Sequence, residues 1–204
     1  MTEFTPRPGL VLASGSPRRA ELLTGAGLPF AVRVPVVVEH DLEDASRFGG
    51  PAGLVLANAT LKAEAARAVA PDADCILAAD TVVALENRVL HKPTDRADAV
   101  RMLASLAGRE HQVLTGVVLV GGRVPHGRDA WTSTSTVRFH PASRERIEAY
   151  IDAANPLDKA GAYGIQDPAS RSLVAGFEGS FSNIVGLPLE DLLLRLAACG
   201  IHPV

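Results

Sequence analysis

The chain has 204 residues, of which 47% are hydrophobic and 21% charged, proportions that are ordinary for a globular protein with one substantial core. Its net charge of −3 argues against bulk nucleic-acid binding, because proteins with that function normally present a strongly basic face. Any basic site in this chain must therefore be local.

Cysteine usage and hydropathy indicate where the protein works. Cys75 and Cys199 match no metal-ligand spacing, and each lies in an apolar stretch, so we expect buried thiols in a reducing compartment. Residues 1–9 lack the layout of a signal peptide, and no apolar run is long enough to span a bilayer. We therefore expect a cytoplasmic protein, folded as one domain over residues 1–204, with no nucleic-acid or membrane partner.

The first half of the chain alternates between strand and helix patterns. Ser16 in an N-cap position and Pro17 in the first helical position predict a helix start directly after an apolar strand. The predicted elements are a strand over 10–13, a helix over 17–26, an extended segment over 30–38, a loop over 46–51, a helix over 52–69, a buried strand over 75–85 and a return strand over 89–90.

The second half adds longer strands and hairpins. Gly121 and Gly122 predict a tight hairpin turn between two strands. The predicted elements are a helix from the cap at Thr94 or Asp95 to Leu106, strands over 111–120 and 131–139, a helix from the cap at Ser143 to Ala153, an irregular loop over 156–170, a hairpin around Glu178 and Gly179, and a helix over 189–198. This order predicts an α/β fold with a mixed, twisted sheet flanked by helices.

The turn into the first helix carries an unusual pair of charges. Arg18 and Arg19 lie in the first helical turn, where the helix dipole favours acidic residues. Local stability does not explain this choice, whereas a bound anion would, because free backbone N–H groups and two guanidinium forks would meet there. Phosphate is the leading candidate. The alternative is that both arginines are simply solvated.

Asp80 is the second anomaly, because it interrupts an apolar strand. A buried carboxylate without a partner is strongly destabilising, so Asp80 needs a cation, a metal or a strong donor beside it. It is either a metal ligand, a base that acts on water, or the acid of a structural salt bridge. The neighbouring Thr81 could supply a supporting hydroxyl.

Several polar residues outside these two features are ambiguous when each is taken alone. Lys62 in an Ala-rich helix and Lys92 after the return strand are each typical of surface lysines. The segment 156–168 holds Lys159 and Gln166 among small residues, which suits a backbone that approaches a ligand closely but equally suits a plain loop. The turn-rich segment before the last helix is typical of a structural connection.

Four segments, in this order, resemble the Maf family of nucleoside triphosphate pyrophosphatases over essentially the whole chain: LASGSPRRAELL, AADTVV followed by HKP, DKAGAYGIQ, and SNIVGLPL. The resemblance implies an α/β fold with a cleft between two lobes. It also implies hydrolysis of nucleoside triphosphates to the monophosphate and pyrophosphate with a divalent cation, Mg²⁺ or Mn²⁺, by an enzyme that is a homodimer.

The resemblance also assigns residues to the substrate. By motif match, Ser14, Arg18 and Arg19 would hold the phosphate chain, and Gln166 matches another polar residue of the family's site. The Arg18–Arg19 pair with Lys92 and Gln166 resembles the subgroup that acts on dTTP and UTP. A second subgroup, which prefers methylated guanine nucleotides, carries a tryptophan in the first motif that this chain lacks.

The same match assigns the reacting groups. Asp80 would bind the metal or activate water, and Lys62 and Lys92 match the family's remaining polar site residues, which we expect to act in catalysis. Glu39 matches an acid that would join Asp80 on the cation, since Mg²⁺ accepts one or two carboxylates plus substrate phosphates. The family often has two consecutive acids there, whereas this chain has Val38 before Glu39.

Two other functions are consistent with parts of the pattern. A nucleotide-binding regulator of cell division with little turnover would use the same pocket, although the intact Asp80 and its lysines favour an enzyme. A different phosphate enzyme would need its own signature, and the chain has neither a phosphate-binding G-x-x-x-x-G-K-[ST] loop nor a nucleophilic cysteine motif.

Overall fold

A computed structural model describes residues 9–86 and 88–204, except for the side chains of residues 42–44. The signal-peptide expectation for residues 1–9 therefore falls almost entirely outside the described residues. No helix within the described ranges is both long enough and apolar enough to cross a membrane.

Strands and helices alternate through most of the described chain. The strands are β1 (Leu10–Leu12), β2 (Ala31–Val32), β3 (Cys75–Leu85), β4 (Arg88–Leu90), β5 (Glu110–Val120), β6 (Arg128–Phe139) and β7 (Val174–Glu178). The helices are α1 (Pro17–Gly25), α2 (Pro51–Val69), α3 (Arg96–Leu106), α4 (Arg144–Ala154), α5 (Phe181–Val185) and α6 (Leu189–Ala198).

Helix starts follow from local chemistry. α1 and α2 each begin with proline, whose missing N–H would have no partner in the first turn. α3 and α4 begin after Asp95 and Ser143, whose side chains accept hydrogen bonds from backbone N–H groups of the first turn. The long strands β3 and β5 are rich in β-branched residues, which pack well on a pleated surface.

The strands form one mixed sheet in the order β2-β1-β3-β5-β6-β7, with β4 beside β3. β1 runs parallel to β2 and β3, whereas β3, β5, β6 and β7 pair successively in antiparallel fashion. Helices pack against this sheet, α2 directly on β3 and β5. The predicted α/β fold with a mixed sheet flanked by helices is confirmed.

β3 has two partial neighbours on one of its sides. β1 pairs with residues 75–77 and β4 with residues 83–85, whereas β5 pairs along the whole of the opposite side. Among the described strands, none borders residues 78–82 on the first side, which leaves a gap in the sheet. Asp80 lies at the centre of that gap.

The apolar side chains separate into clusters at the two ends of the long strands. One end combines β1 and the start of β3 with α1 and α6 on one face and α2 on the other. The other end combines the far half of β3 and the start of β5 with α3 and α4. The gap lies between these ends, so the molecule has the predicted two lobes around a central cleft.

The prediction of a loop over 46–51 is wrong for residues 46–48, and only part of the predicted extended segment over 30–38 is a strand. Only Ala31–Val32 form a strand in the first segment, because pairing with the three-residue β1 ends there. Before α2, Leu42–Phe48 form a 3₁₀ helix where the prediction places the start of a loop. β2 lies at an edge of the sheet, where local pattern gives little information about pairing.

Two predicted hairpins also differ from the structure. Gly121 and Gly122 do not form a two-residue turn but begin a longer connection with a 3₁₀ turn at Pro125–Gly127. Gly121 has positive φ, and a Cβ there would lie 2.3 Å from the carbonyl oxygen of Asp74, so a close backbone contact requires this glycine. Beyond Gly179 the chain enters the short helix α5 rather than a return strand.

Candidate active site

A cleft of about 850 Å³ opens at the gap in the sheet. All of the predicted site residues line it: Ser14, Arg18, Arg19, Glu39, Lys62, Asp80, Lys92 and Gln166. These residues come from segments that are far apart in sequence, so the fold brings them together.

Two carboxylates meet on the ammonium group of Lys62, which lies on α2. Lys62 Nζ is 2.7 Å from Asp80 Oδ1 and 2.9 Å from Glu39 Oε2. Asp80 is buried, and the lysine offsets the unfavourable free energy of placing its charge there. The Asp80 carboxylate therefore has the cationic partner that its apolar strand demands.

Asn58 is a member of this cluster that sequence reasoning missed. It is 1% exposed, and its Oδ1 accepts a hydrogen bond of 2.8 Å from the backbone N–H of His40. Its Nδ2 lies 3.4 Å from Asp80 Oδ2. Asn58 therefore connects the segment that carries Glu39 to the strand that carries Asp80. The sequence feature that could have identified Asn58 is its position four residues before Lys62, which places both side chains on the same face of α2.

The approach of α2 to Asp80 depends on a glycine. Gly116 on β5 pairs directly with Asp80, so both residues face the same side of the sheet. A Cβ at residue 116 would lie 2.5 Å from the carbonyl carbon of Val55, closer than a Cβ atom can approach. Because this position has no side chain, α2 lies close enough for Lys62 and Asn58 to reach the carboxylate.

Arg19 fills the gap in the sheet from the opposite direction. Its Nη1 donates to the carbonyl of Ala79 at 2.8 Å and to Ser14 Oγ at 3.0 Å. Its Nε donates to the carbonyl of Gly186 at 2.9 Å, and its Nη2 donates to Thr81 Oγ1 at 3.0 Å. The guanidinium thus satisfies a β3 carbonyl that has no strand neighbour on that side.

This arrangement defines what Arg19 can offer to a ligand. Burial lowers the pKa of its guanidinium from the ordinary value, while the Asp80 carboxylate opposes that shift. A guanidinium has five N–H donors, so these contacts leave one N–H of Nη2 without a partner among the residues that the structure describes. The segment around Gly186, expected to be a structural connection, therefore also holds a residue of the cleft.

Arg18 points elsewhere, toward the loop that carries Gln166. Its Nη1 lies 2.6 Å from Asp158 Oδ2, and Lys159 Nζ lies 2.9 Å from the other oxygen of that carboxylate. Partial burial raises the pKa of Asp158, but the hydrogen bonds from Lys159 and Arg18 outweigh it and lower the pKa to about 2. Asp158, which sequence reasoning did not single out, thus links α1 to this loop.

Lys92 and Gln166 lie exposed on the rim of the cleft. Neither side chain makes a hydrogen bond or ion pair with another residue that the structure describes. Ser14 differs, because its Oγ accepts hydrogen bonds from Arg19 and from the backbone N–H of Ser16, which leaves its own proton free for a ligand. The cleft therefore presents several donors to an anion.

The donors that could hold a metal ion are Asp80 and Glu39. Among the side chains that the structure describes, no three histidine, cysteine, aspartate or glutamate residues converge as a ligand group. A cation here would depend on two carboxylates and on oxygen atoms of the bound ligand. That donor set suits a hard cation such as Mg²⁺ and gives no support for one that requires thiolate or imidazole.

Comparison with known proteins gives one consistent family. The profile of the Maf-like proteins matches residues 9–199. A dTTP/UTP pyrophosphatase of Symbiobacterium thermophilum is 47% identical over 198 residues, which cover 96% of this chain and 95% of that protein. Proteins of the same name from Moorella thermoacetica and Bacteroides thetaiotaomicron are 48% and 40% identical, covering 94% and 90% of this chain and 95% and 92% of their own lengths.

Proposed function

The chain belongs to the family of Maf-like proteins, and from this and the geometry of its cleft we propose that it is a nucleoside triphosphate pyrophosphatase that acts on dTTP and UTP. Its relatives that carry the name dTTP/UTP pyrophosphatase match nearly the full length of the chain. The products are the nucleoside monophosphate and pyrophosphate.

The observation that carries this proposal is the pair of carboxylates that share Lys62 at the centre of a cleft with cationic walls. A triphosphate is strongly negative, and water that attacks its α-phosphorus is repelled by that charge. Arg18 and Lys92 would neutralise the phosphate chain and the developing charge of the leaving group. Ser14 would donate its free proton to a phosphate oxygen.

In the reaction, the oxygen of water bonds to the α-phosphorus and the bond between that phosphorus and the bridging oxygen breaks. Asp80 takes the proton from the attacking water, and its Oδ2 is suited to this because, among the described residues, it accepts only the long 3.4 Å hydrogen bond from Asn58. Lys62 orients the carboxylate through its other oxygen, Oδ1, at 2.7 Å. A divalent cation, Mg²⁺ or Mn²⁺, would be held by Asp80 and Glu39 with phosphate oxygens, and would neutralise the leaving pyrophosphate.

Product analysis tests the activity. The protein is incubated with a panel of nucleoside triphosphates and Mg²⁺, and the products are separated. We expect monophosphate and pyrophosphate, formed fastest from dTTP or UTP. Orthophosphate with diphosphate would refute the proposed reaction, and faster turnover of guanine nucleotides would refute the base preference alone.

The variant Asp80→Asn tests the role of the carboxylate. Its amide can still accept the hydrogen bond from Lys62 but cannot take a proton, so we expect kcat to fall roughly 10²–10⁴-fold, the usual loss when a general base is removed. Steady-state kinetics with dTTP measures this. Turnover within about threefold of the unchanged protein would exclude Asp80 as the base.

We also propose that the enzyme is cytoplasmic, and that it is a homodimer, as its family resemblance implies. Phe177 on the edge strand β7 and Phe181 are each more than two-fifths exposed, with ring centroids 5.8 Å apart, which supports a contact between copies. The buried free thiols of Cys75 and Cys199 are consistent with a reducing compartment. Analytical ultracentrifugation decides the oligomeric state.

A further inference from the structure

Residues 33–40 form a strap along one wall of the cleft, pinned at both ends. The N–H of Arg33 donates to the carbonyl of Leu12 at 3.0 Å, and the N–H of His40 donates to Asn58 Oδ1 at 2.8 Å. Between these anchors, no backbone group of residues 34–39 has a hydrogen-bond partner among the described residues. The strap therefore crosses the wall as an extended, unpaired segment.

The strap exposes a row of valines. Val34 is 58% exposed, Val36 99% and Val38 93%, while the intervening Pro35 is buried. Side chains alternate along an extended chain, so the three valines share one face. Contiguous apolar exposure of this kind marks a contact surface.

The valine row lies next to the site that receives phosphate. The side chain of Val34 is 3.7 Å from where a Cβ of Gly15 would be, so it covers the turn that leads into α1. Val34, Pro35, Val36 and Val37 line the cleft, whereas Val38 lies outside its lining. At the far end, Glu39 joins the strap to the Lys62 cluster.

We propose that Val34 and Val36 form the wall on which the base and sugar of the nucleotide rest, an inference that builds on the proposed function. The charged groups of the cleft account for the phosphate chain, and the nucleoside is the large apolar part of such a ligand. Residues 34–38 are valines and one proline, with no side-chain donor or acceptor for the edge of a base. The valine side chains of this wall therefore contact the flat face of the base rather than its edge.

Val36 and Val38 provide a matched experiment, because they share residue type, strap and exposure but only Val36 lines the cleft. Calorimetry in the presence of Mg²⁺ measures the Kd of the α,β-imido analogue of dTTP. In this analogue the bond between the α-phosphorus and its bridging atom resists hydrolysis. We expect Val36→Ser to raise this Kd about tenfold, or about 1.4 kcal/mol. Val38→Ser should leave it within about twofold.

Inorganic tripolyphosphate is the second probe, because it has the phosphate chain without a nucleoside. Its Kd should be the same for the unchanged protein and for both variants. The proposed role of Val34 and Val36 is refuted if Val36→Ser leaves binding of the analogue unchanged or if both variants weaken that binding alike. It is also refuted if binding of tripolyphosphate weakens in parallel. It is also refuted if Val36→Ser changes only the oligomeric state, which would assign the valines to a second copy.

The proposed function is decided separately. Release of pyrophosphate from dTTP by the unchanged protein tests the activity, whereas calorimetry with the analogue does not depend on turnover. An active enzyme whose Val36→Ser variant binds the analogue normally would refute the wall and leave the activity standing.

Discussion

Arg18 and Arg19 are neighbours in the chain with different environments. Both stand out in the sequence because positive charge opposes the dipole at a helix start. In the structure Arg19 is 8% exposed and holds the carbonyls of Ala79 and Gly186, whereas Arg18 faces the cleft and pairs with Asp158. The anomaly was predictable, but which arginine is buried depends on a gap formed by distant strands.

The two arginines should therefore respond differently to truncation. We expect Arg19→Ala to lower the free energy of unfolding by about 3 kcal/mol, since each buried acceptor that it leaves without a partner is worth about 1–3 kcal/mol. Arg18→Ala should lower it by less than about 1 kcal/mol, because exposed ion pairs contribute little, yet it should weaken turnover. Urea denaturation and steady-state kinetics measure both. Equal destabilisation by the two variants would contradict this assignment.

Among the elements, β3 shows where sequence prediction succeeds and where it stops. Its bounds of 75–85 follow directly from an apolar run between turn residues, which only Asp80 and Thr81 interrupt. The gap at residues 78–82 does not follow from this apolar run, because it depends on where β1 ends and β4 begins along the same side of β3. Arg18, Arg19 and Asp80 stand out by their chemistry, and the other predicted site residues follow from the family resemblance. Asn58 was missed because an amide in a helix is common.

Gly116 is the element-scale feature with the sharpest test. Gly116→Ala would push the backbone of α2 away from the sheet, and such overpacking typically costs about 1–3 kcal/mol of stability. We expect a lower thermal midpoint and lower kcat, since Lys62 and Asn58 move away from Asp80.

Gly122→Ala is the matched control, because a Cβ there meets no atom within 4 Å and its φ is not positive. This variant should retain the stability and activity of the unchanged protein. If Gly116→Ala were as stable and active as Gly122→Ala, close approach of α2 would not be what positions Lys62.

At the scale of the whole molecule, the lobe formed by the start of β5 with α3 and α4 contains a buried histidine, His111. His111 Nε2 shares a 2.8 Å hydrogen bond with the hydroxyl of Tyr163, a residue that lines the cleft, and its Nδ1 has no partner among the described residues. Burial lowers the pKa of His111 to about 4. The folded lobe therefore requires this ring to be neutral.

Stability should consequently fall in mild acid. Between the unfolded pKa of about 6.5 and the folded value of about 4, the unfolded chain binds a proton that the folded chain does not. We expect this group to remove up to about 3 kcal/mol of unfolding free energy as pH falls through that range. Urea denaturation from pH 7 to pH 4 measures the slope, and His111→Gln should flatten it. An unchanged slope in that variant would show that other groups cause the acid sensitivity.

The contact between Arg19 and Gly186 also sets an order of events during synthesis. The two residues are 167 positions apart, and a ribosome delivers the amino-terminal part of a chain first. Until residue 186 has been added, the Arg19 guanidinium lacks the carbonyl of Gly186 as an acceptor. The turn that leads into α1 lacks this contact as well. Arg19 therefore reaches its complete set of acceptors only after residue 186 has been added.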